Sequence, residues 1–185
     1  MDRWALGRRH FWGRVAGLFY LLNIISGSLA LVFIRRELTL YADAANLMAT
    51  GSYIIVTVLF YSIFKPASHR VSRIAAIVSL IGCAVGPMNS FGLAPVPVNA
   101  LVFFGAYCLL IAYLISKSTF LPRLLSILMA IGGLGWLTFL SRPLANTLAP
   151  YNMVPGILAE TALTFWLLIP GVKAQHWKAQ AATAR

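Results

Sequence analysis

Six apolar runs, each close to the length of one membrane crossing, occupy almost all of this 185-residue chain. They cover 15–34, 44–64, 71–91, 98–116, a stretch beginning near Pro122, and 153–169. Hydrocarbon about 30 Å thick takes about 20 apolar residues per helix, and backbone amides inside it must bond within their own segment. Only 10% of residues are charged, against roughly 25% in soluble proteins. The chain therefore reads as an all-α, polytopic membrane helix bundle with six transmembrane helices. Residues 1–172 form a single transmembrane domain, and 173–185 form a short cytoplasmic tail.

The boundaries follow from local chemistry. Arg3, Arg8 and Arg9 before the first run, with Ser28 and Ala30 inside it, imitate a signal peptide. The run continues through Ile34, however, a length that suits a spanning helix. Gly13 and Gly17 form a small-residue pair near its start, and Asn23 lies mid-span. Asp43 is the expected N-cap of the second helix, and Lys65-Pro66 its end. In the third, Ala75, Ser79, Gly82, Cys83 and Gly86 line one side, and Pro87 is expected to bend or end it. An uncharged linker, 92–97, leads to the fourth helix. Gly132, Gly133 and Gly135 smooth the fifth, and Pro170-Gly171 stops the sixth.

The net charge of +11 suggests nucleic acid only until its placement is considered. Lys and Arg cluster at the ends of the apolar runs rather than along a polar stripe, so nucleic acid is not expected as a partner. With six spans, twelve of the 15 basic residues fall on the side shared by the termini and the even-numbered connectors. Arg35, Arg36 and Arg142 fall opposite, so the positive-inside rule places both termini in the cytoplasm. Trp12, Tyr61, Tyr113 and Trp177 then make an inner aromatic belt, and Tyr41, Tyr53 and Tyr151 an outer one. An internal echo accompanies this order. Tyr61 and Lys65 are answered 52 residues later by Tyr113 and Lys117, and Arg73, Ile77, Ile81 and Gly82 are answered 50 residues later by Arg123, Ile127, Ile131 and Gly132. Apolar helices draw on few residue types, so either chance or a parallel duplication of hairpins accounts for it.

Glu160 is the one acidic residue inside an apolar run. It lies near the middle of its helix, where an unpaired carboxylate costs several kcal/mol. Glu160 is thus expected to face the bundle interior, protonated or paired, with the amide of Asn23 at similar depth as the expected partner and Thr164 one turn away. These three residues form the candidate intramembrane proton or ligand site. The competing reading of Glu160 is a plain interhelical hydrogen bond. No catalytic residue stands out: paired carboxylates, phosphate loops and nucleophile elbows are absent from the sequence. Neither a metal site nor a cofactor is expected. His10, His69 and His176 fall at one membrane edge rather than facing one another within spans, and Cys83 and Cys108 read as packing residues.

Several blocks carry a family resemblance. They are Arg14, Ala16, Gly17, Leu18, Tyr20 and Leu21; the Asp-Ala-Ala-Asn of 43–46; Tyr61 with Pro66; and Glu160 with Trp166-Leu167-Leu168 and Gly171. The most specific block runs from Val102-Phe103-Phe104-Gly105 through Cys108-Leu109, Tyr113-Leu114 and Phe120-Leu121-Pro122-Arg123 to Gly132-Gly133. In these the chain resembles, over nearly its full length, the bacterial integral-membrane domain-of-unknown-function family 4386. The resemblance implies a membrane fold in a bacterial plasma (inner) membrane and no assigned activity. The expected function is a structural or accessory subunit, or a small-molecule- or lipid-binding component, without recognisable catalysis. The alternative is a proton-linked small-molecule transporter using Glu160, and a membrane-embedded enzyme fits least. Its expected partners are the lipid bilayer, a small-molecule or lipid ligand, and another helix or a second copy of the chain.

Overall fold

The computed structural model describes residues 3–93 and 98–183, with side chains from residue 11 onward. The side chains of Arg3, Arg8, Arg9 and His10, most of the 92–97 linker, and Arg185 thus lie outside the described residues. Within them the secondary structure is helical throughout: α1 (Arg3–Arg35), α2 (Thr39–Phe64), α3 (His69–Ser90), α4 (Ala100–Lys117), α5 (Arg123–Leu137), α6 (Arg142–Leu148), α7 (Val154–Leu168) and α8 (Ala174–Thr183). Short 3₁₀ turns, Thr138–Leu140 and Tyr151–Met153, flank α6.

Five helices are long and apolar enough to cross a membrane: Phe11–Arg35, Thr39–Phe64, His69–Ser90, Ala100–Lys117 and Arg123–Leu140. The sixth apolar run forms α7, whose 15 residues span about 22 Å, less than the roughly 30 Å of hydrocarbon. It is shortened at its start by the 3₁₀ turn and at its end by Gly171, whose φ of 71° suits glycine. Two boundaries differ from expectation. Asp43 does not cap α2, because the helix begins a turn earlier with Leu38 at its N-cap. Pro87 does not end α3, which runs to Ser90 with the proline inside it: what is lost is the bond to the Cys83 carbonyl one turn back, while the residues after it keep their amides. Ser68 and Asn99 do cap, accepting from the amides of Val71 and Leu101 at 3.4 and 3.0 Å.

The long helices form a closed ring. Each of α1 to α4 packs on the next, α5 packs on α7, and α7 returns to α1. Glycines set the tight seams: a Cβ at Gly133 would lie 2.8 Å from the Gly105 carbonyl oxygen, and one at Gly132 would lie 2.8 Å from the Ala159 Cβ. Gly13 and Gly17, the expected packing pair, meet Val172 and Leu167-Leu168. The ring's outer surface is apolar, with Ile74, Ile77, Ile81, Leu124, Ile127, Ile131 and Leu158 all exposed. So large a greasy exterior suits lipid and would drive a soluble protein to aggregate.

The tail packs against one end of the ring. Trp177 Nε1 donates to the Ile63 carbonyl at 2.7 Å, Gln180 Nε2 to that of Lys117 at 2.8 Å, and His176 Nδ1 to that of Thr119 at 2.9 Å. Ile63 and Lys117 lie in the last turns of α2 and α4, where carbonyls have no partner inside their helix. Helix α8 supplies the missing donors.

The two hairpins expected from the sequence echo share a burial pattern. Buried Ala75, Ser79, Gly82 and Cys83 of α3 correspond, 50 positions on, to buried Leu125, Met129, Gly132 and Gly133 of α5. Buried Val56, Thr57, Phe60, Ile63 and Phe64 of α2 correspond, 51 positions on, to Tyr107, Cys108, Ile111, Leu114 and Ile115 of α4. This shift differs by one from that of the Tyr61 and Lys65 matches, which sit outside the core.

Candidate functional site

The register continues into the sixth run. Buried Tyr107, Ile111, Ala112 and Ile115 of α4 are matched, 52 positions on, by buried Ala159, Leu163, Thr164 and Leu167 of α7. Helices α2, α4 and α7 run in one direction and alternate around the ring, so this correspondence sets Thr57, Cys108 and Glu160 in equivalent places. Each is a polar or polarisable group; Cys108 and Glu160 lie at the middle of their helices, and Thr57 two turns before the end of its longer one.

Glu160 is half-buried on α7. Trp136 Nε1 of α5 donates to its Oε1 at 3.0 Å, and the Cys108 thiol of α4 makes a long contact with the same oxygen at 4.0 Å. Gly156 makes the first of these possible, since a Cβ there would collide with the indole ring of Trp136. Helix α1 does pack on α7, but it presents Tyr20 rather than Asn23 to the carboxyl. Asn23 is half-buried and is not among the hydrogen-bond partners of Glu160. Thr164 is fully buried with its hydroxyl unpartnered.

The ring's centre is aromatic. Tyr20 packs edge-on against Tyr53 and Phe60 with centroids 5.6 and 5.8 Å apart, and Tyr53 packs against Phe104 and Tyr107 at 4.8 and 5.8 Å. Tyr53, expected in an outer belt, is therefore a core residue; Tyr41 and Tyr151 are exposed, as belt residues are. The hydroxyls of Tyr20, Tyr53 and Tyr107 are all buried with no hydrogen-bond partner within 3.5 Å, although Tyr20 faces Glu160 and Tyr53, and Tyr107 faces Thr57, at longer range. Close to Tyr107, the Thr57 hydroxyl donates to the Tyr53 carbonyl at 2.8 Å and pairs with the Ser79 hydroxyl at 2.6 Å. Among the described residues no group of three His, Cys, Asp or Glu gathers closely enough to hold a metal ion.

An open cleft of about 850 Å³ lies at the end of the ring away from α8, between the ends of α3 and α4 and helix α6. Asn89, Asn99, Phe139, Arg142 and Asn146 are in its wall, and Glu160 is not. Its link to the centre is aromatic: Phe139 lies 6.3 Å from Trp136, the residue that holds Glu160.

Residues 96–171 match the model of a family described as a domain of unknown function (DUF4386). Over this stretch, less than half of its length, the chain is similar to that family. The DUF4386 match covers α4 to α7, and with them Cys108, Trp136, Glu160 and Thr164. Tyr20, Tyr53, Thr57 and Ser79 lie before it, so the site joins the matched segment to the N-terminal helices. No curated protein and no solved structure matches the chain.

Of the site's members, Glu160 was legible from its charge in an apolar run. Trp136 and the tyrosines were not, because an aromatic residue in a membrane helix serves equally as lipid contact, interfacial anchor or core.

Proposed function

We propose that this protein is a non-catalytic component of the bacterial plasma membrane that binds a small hydrogen-bonding molecule, water in the simplest case, at a proton-exchanging carboxyl, Glu160. The observation that carries this reading is the set of unpartnered hydroxyls around it, on Tyr20, Tyr53, Tyr107 and Thr164. Buried polar groups in a purely structural core satisfy one another, and those left over in native proteins point to a bound molecule. A proton-linked small-molecule transporter is the second reading. It is favoured by the cleft, whose wall residue Phe139 contacts the indole that holds the carboxyl.

The arrangement in the bilayer belongs to the same proposal: six crossings, α7 being the short one, with both termini cytoplasmic. Its support is charge, since Lys65, Arg70, Arg73, Lys117, Arg123, Lys173 and Lys178 gather toward the α8 end. A single cysteine introduced at Ser68 should react with an impermeant thiol reagent from the cytoplasmic side, and one at Leu93 from the opposite side. Labelling of the two in reverse would overturn the orientation.

The site is tested by infrared spectroscopy of the protein in liposomes. A carboxyl C=O stretch should be present, should vanish in Glu160→Gln, and should change when the external pH is stepped. A band that ignores the pH step would reduce Glu160 to a structural hydrogen bond.

A further inference from the structure

A carboxyl that exchanges protons needs a way for them to reach it, and the described residues hold polar groups in sequence from the ring's centre toward its α8 end. Tyr107 stands between Glu160 and Thr57, and Thr57 is bonded to Ser79 at 2.6 Å. Two helical turns along the same face of α3, Ser72 donates to the Tyr61 carbonyl at 3.2 Å. At the other end of that tyrosine, away from the carbonyl, its hydroxyl meets Nε2 of the exposed His69 at 3.1 Å. The level of Ser79, to which Thr57 is bonded, lies about 15 Å from that of His69 at 1.5 Å per residue along α3.

The series is open where Tyr107 is hydrogen-bonded to neither neighbour, where Ser79 and Ser72 stand two turns apart, and where Ser72 bonds the Tyr61 carbonyl rather than its hydroxyl. A narrow crevice runs along these openings. Its wall contains Tyr107 and Thr57 at one end and Tyr61 and Ser72 at the other, with Ala75 and Ala76 between them. The crevice has no room for a water molecule as it stands, but its α3 wall carries nothing larger than methyl groups there. Slight movement of Phe60 or Leu114 would admit one.

We propose that protons pass between Glu160 and the α8 end of the bundle along the hydroxyls of Tyr107, Thr57, Ser79, Ser72 and Tyr61, with water entering the crevice to complete the chain and His69 as the outer acceptor. This rests on the proposed proton exchange at Glu160 and adds its route. In each transfer an oxygen lone pair takes a proton from the neighbour on one side, and the O–H bond it already held breaks to give a proton to the neighbour on the other. Every hydroxyl ends neutral, and one proton has moved. The titratable groups facing Glu160 are Tyr20 from α1, Tyr53 from α2, and Tyr107 and Cys108 from α4; α5 presents only the indole of Trp136. Near His69 stand Tyr61 and, along the chain, Lys65, Arg70 and Arg73.

The test follows the Glu160 C=O band of the full chain, in phosphatidylethanolamine–phosphatidylglycerol liposomes, after transfer to heavy water. Tyr107→Phe removes one hydroxyl, and Ala76→Leu narrows the crevice without removing any. Each should slow deuteration of the carboxyl by about tenfold or more, as loss of a positioned proton carrier does. Tyr113→Phe, on the lipid-facing side of α4, should exchange at the parental rate. If Tyr107→Phe and Ala76→Leu both exchange as fast as the parent, the route is wrong while the proton-exchanging carboxyl stands. If the parent shows no band that Glu160→Gln removes, the carboxyl reading itself fails and the route with it.

Discussion

The hairpin α2–α3 and the hairpin α4–α5 bury the same positions and fill them differently. In the first, the matched core places carry hydroxyls, Thr57 and Ser79, bonded across the helix pair. In the second, they carry Cys108 and Met129. The seams differ as well. Cys83 keeps a side chain where its counterpart, Gly133, sits with its Cα against the carbonyl of Gly105. Phase around the ring is thus a property of the architecture, while chemistry and interhelical spacing are set position by position. The second hairpin is drawn tight by glycine, with one serine, Ser126, donating across it to the Ala112 carbonyl at 2.8 Å, and it meets the carboxyl at its edge with α7. The first is joined by a pair of hydroxyls bonded to each other.

The sharpest way to break this comparison is to exchange the seam residues. Gly133→Cys puts the first hairpin's residue into the second, where its Cβ would lie 2.8 Å from backbone oxygen and 3.0 Å from Leu109. Backbone cannot yield as a side-chain tip can, so a loss of about 3 kcal/mol is expected, the upper end for overpacking. Cys83→Ala in the first hairpin should cost about 1 kcal/mol, since only a sulfur is removed from a site already sized for a side chain. Thermal unfolding in detergent, followed by helical circular dichroism, measures both. Equal losses would mean that the two seams are equally close and that glycine at 133 has no steric role.

Much of this was readable in advance. Run lengths and helix stops gave the positions of the long apolar helices to within a few residues, apart from the start of α1 at Arg3 rather than Val15, because hydrocarbon leaves the backbone almost no alternative to helix. The small residues Gly13, Gly17, Gly82, Gly132 and Gly133 marked real seams, since close approach in lipid depends on the absence of side chains. What could not be read was the facing of large residues. In water, polarity separates inside from outside; here Ile77 faces outward and Ile111 inward with equal ease. Asn23 stands out in the sequence as a partner for Glu160 and Tyr20 does not, for the same reason: an amide advertises its need for a partner, whereas a tyrosine conceals a hydroxyl behind a ring that suits lipid. Helix α8 and its carbonyl contacts were likewise hidden, because a short alanine-rich tail gains its place from the ring ends it meets rather than from its own pattern.

A finer contrast lies between the polar bonds of the two regions, Trp136 to Glu160 and Thr57 to Ser79. Trp136→Phe keeps an aromatic ring against Gly156 but removes the N–H, leaving Glu160 with the 4.0 Å thiol contact and the more distant Tyr20. A carboxyl stripped of its donor in a low-dielectric interior should cost about 1–2 kcal/mol. Thr57→Val replaces a hydroxyl by a methyl of nearly the same shape. It frees the Tyr53 carbonyl, which its own helix still satisfies, and releases the Ser79 hydroxyl, which as a serine in a helix can turn to a carbonyl one turn back. Its cost should therefore be near the average for interhelical bonds in membranes, about 0.6 kcal/mol. Both variants are measured by the same unfolding curves, with Glu160→Gln in the Trp136→Phe background as a control. If the loss at Thr57 equals or exceeds the loss at Trp136, the polar weight of the bundle lies in the first hairpin, and the carboxyl is a minor contributor to how the ring closes.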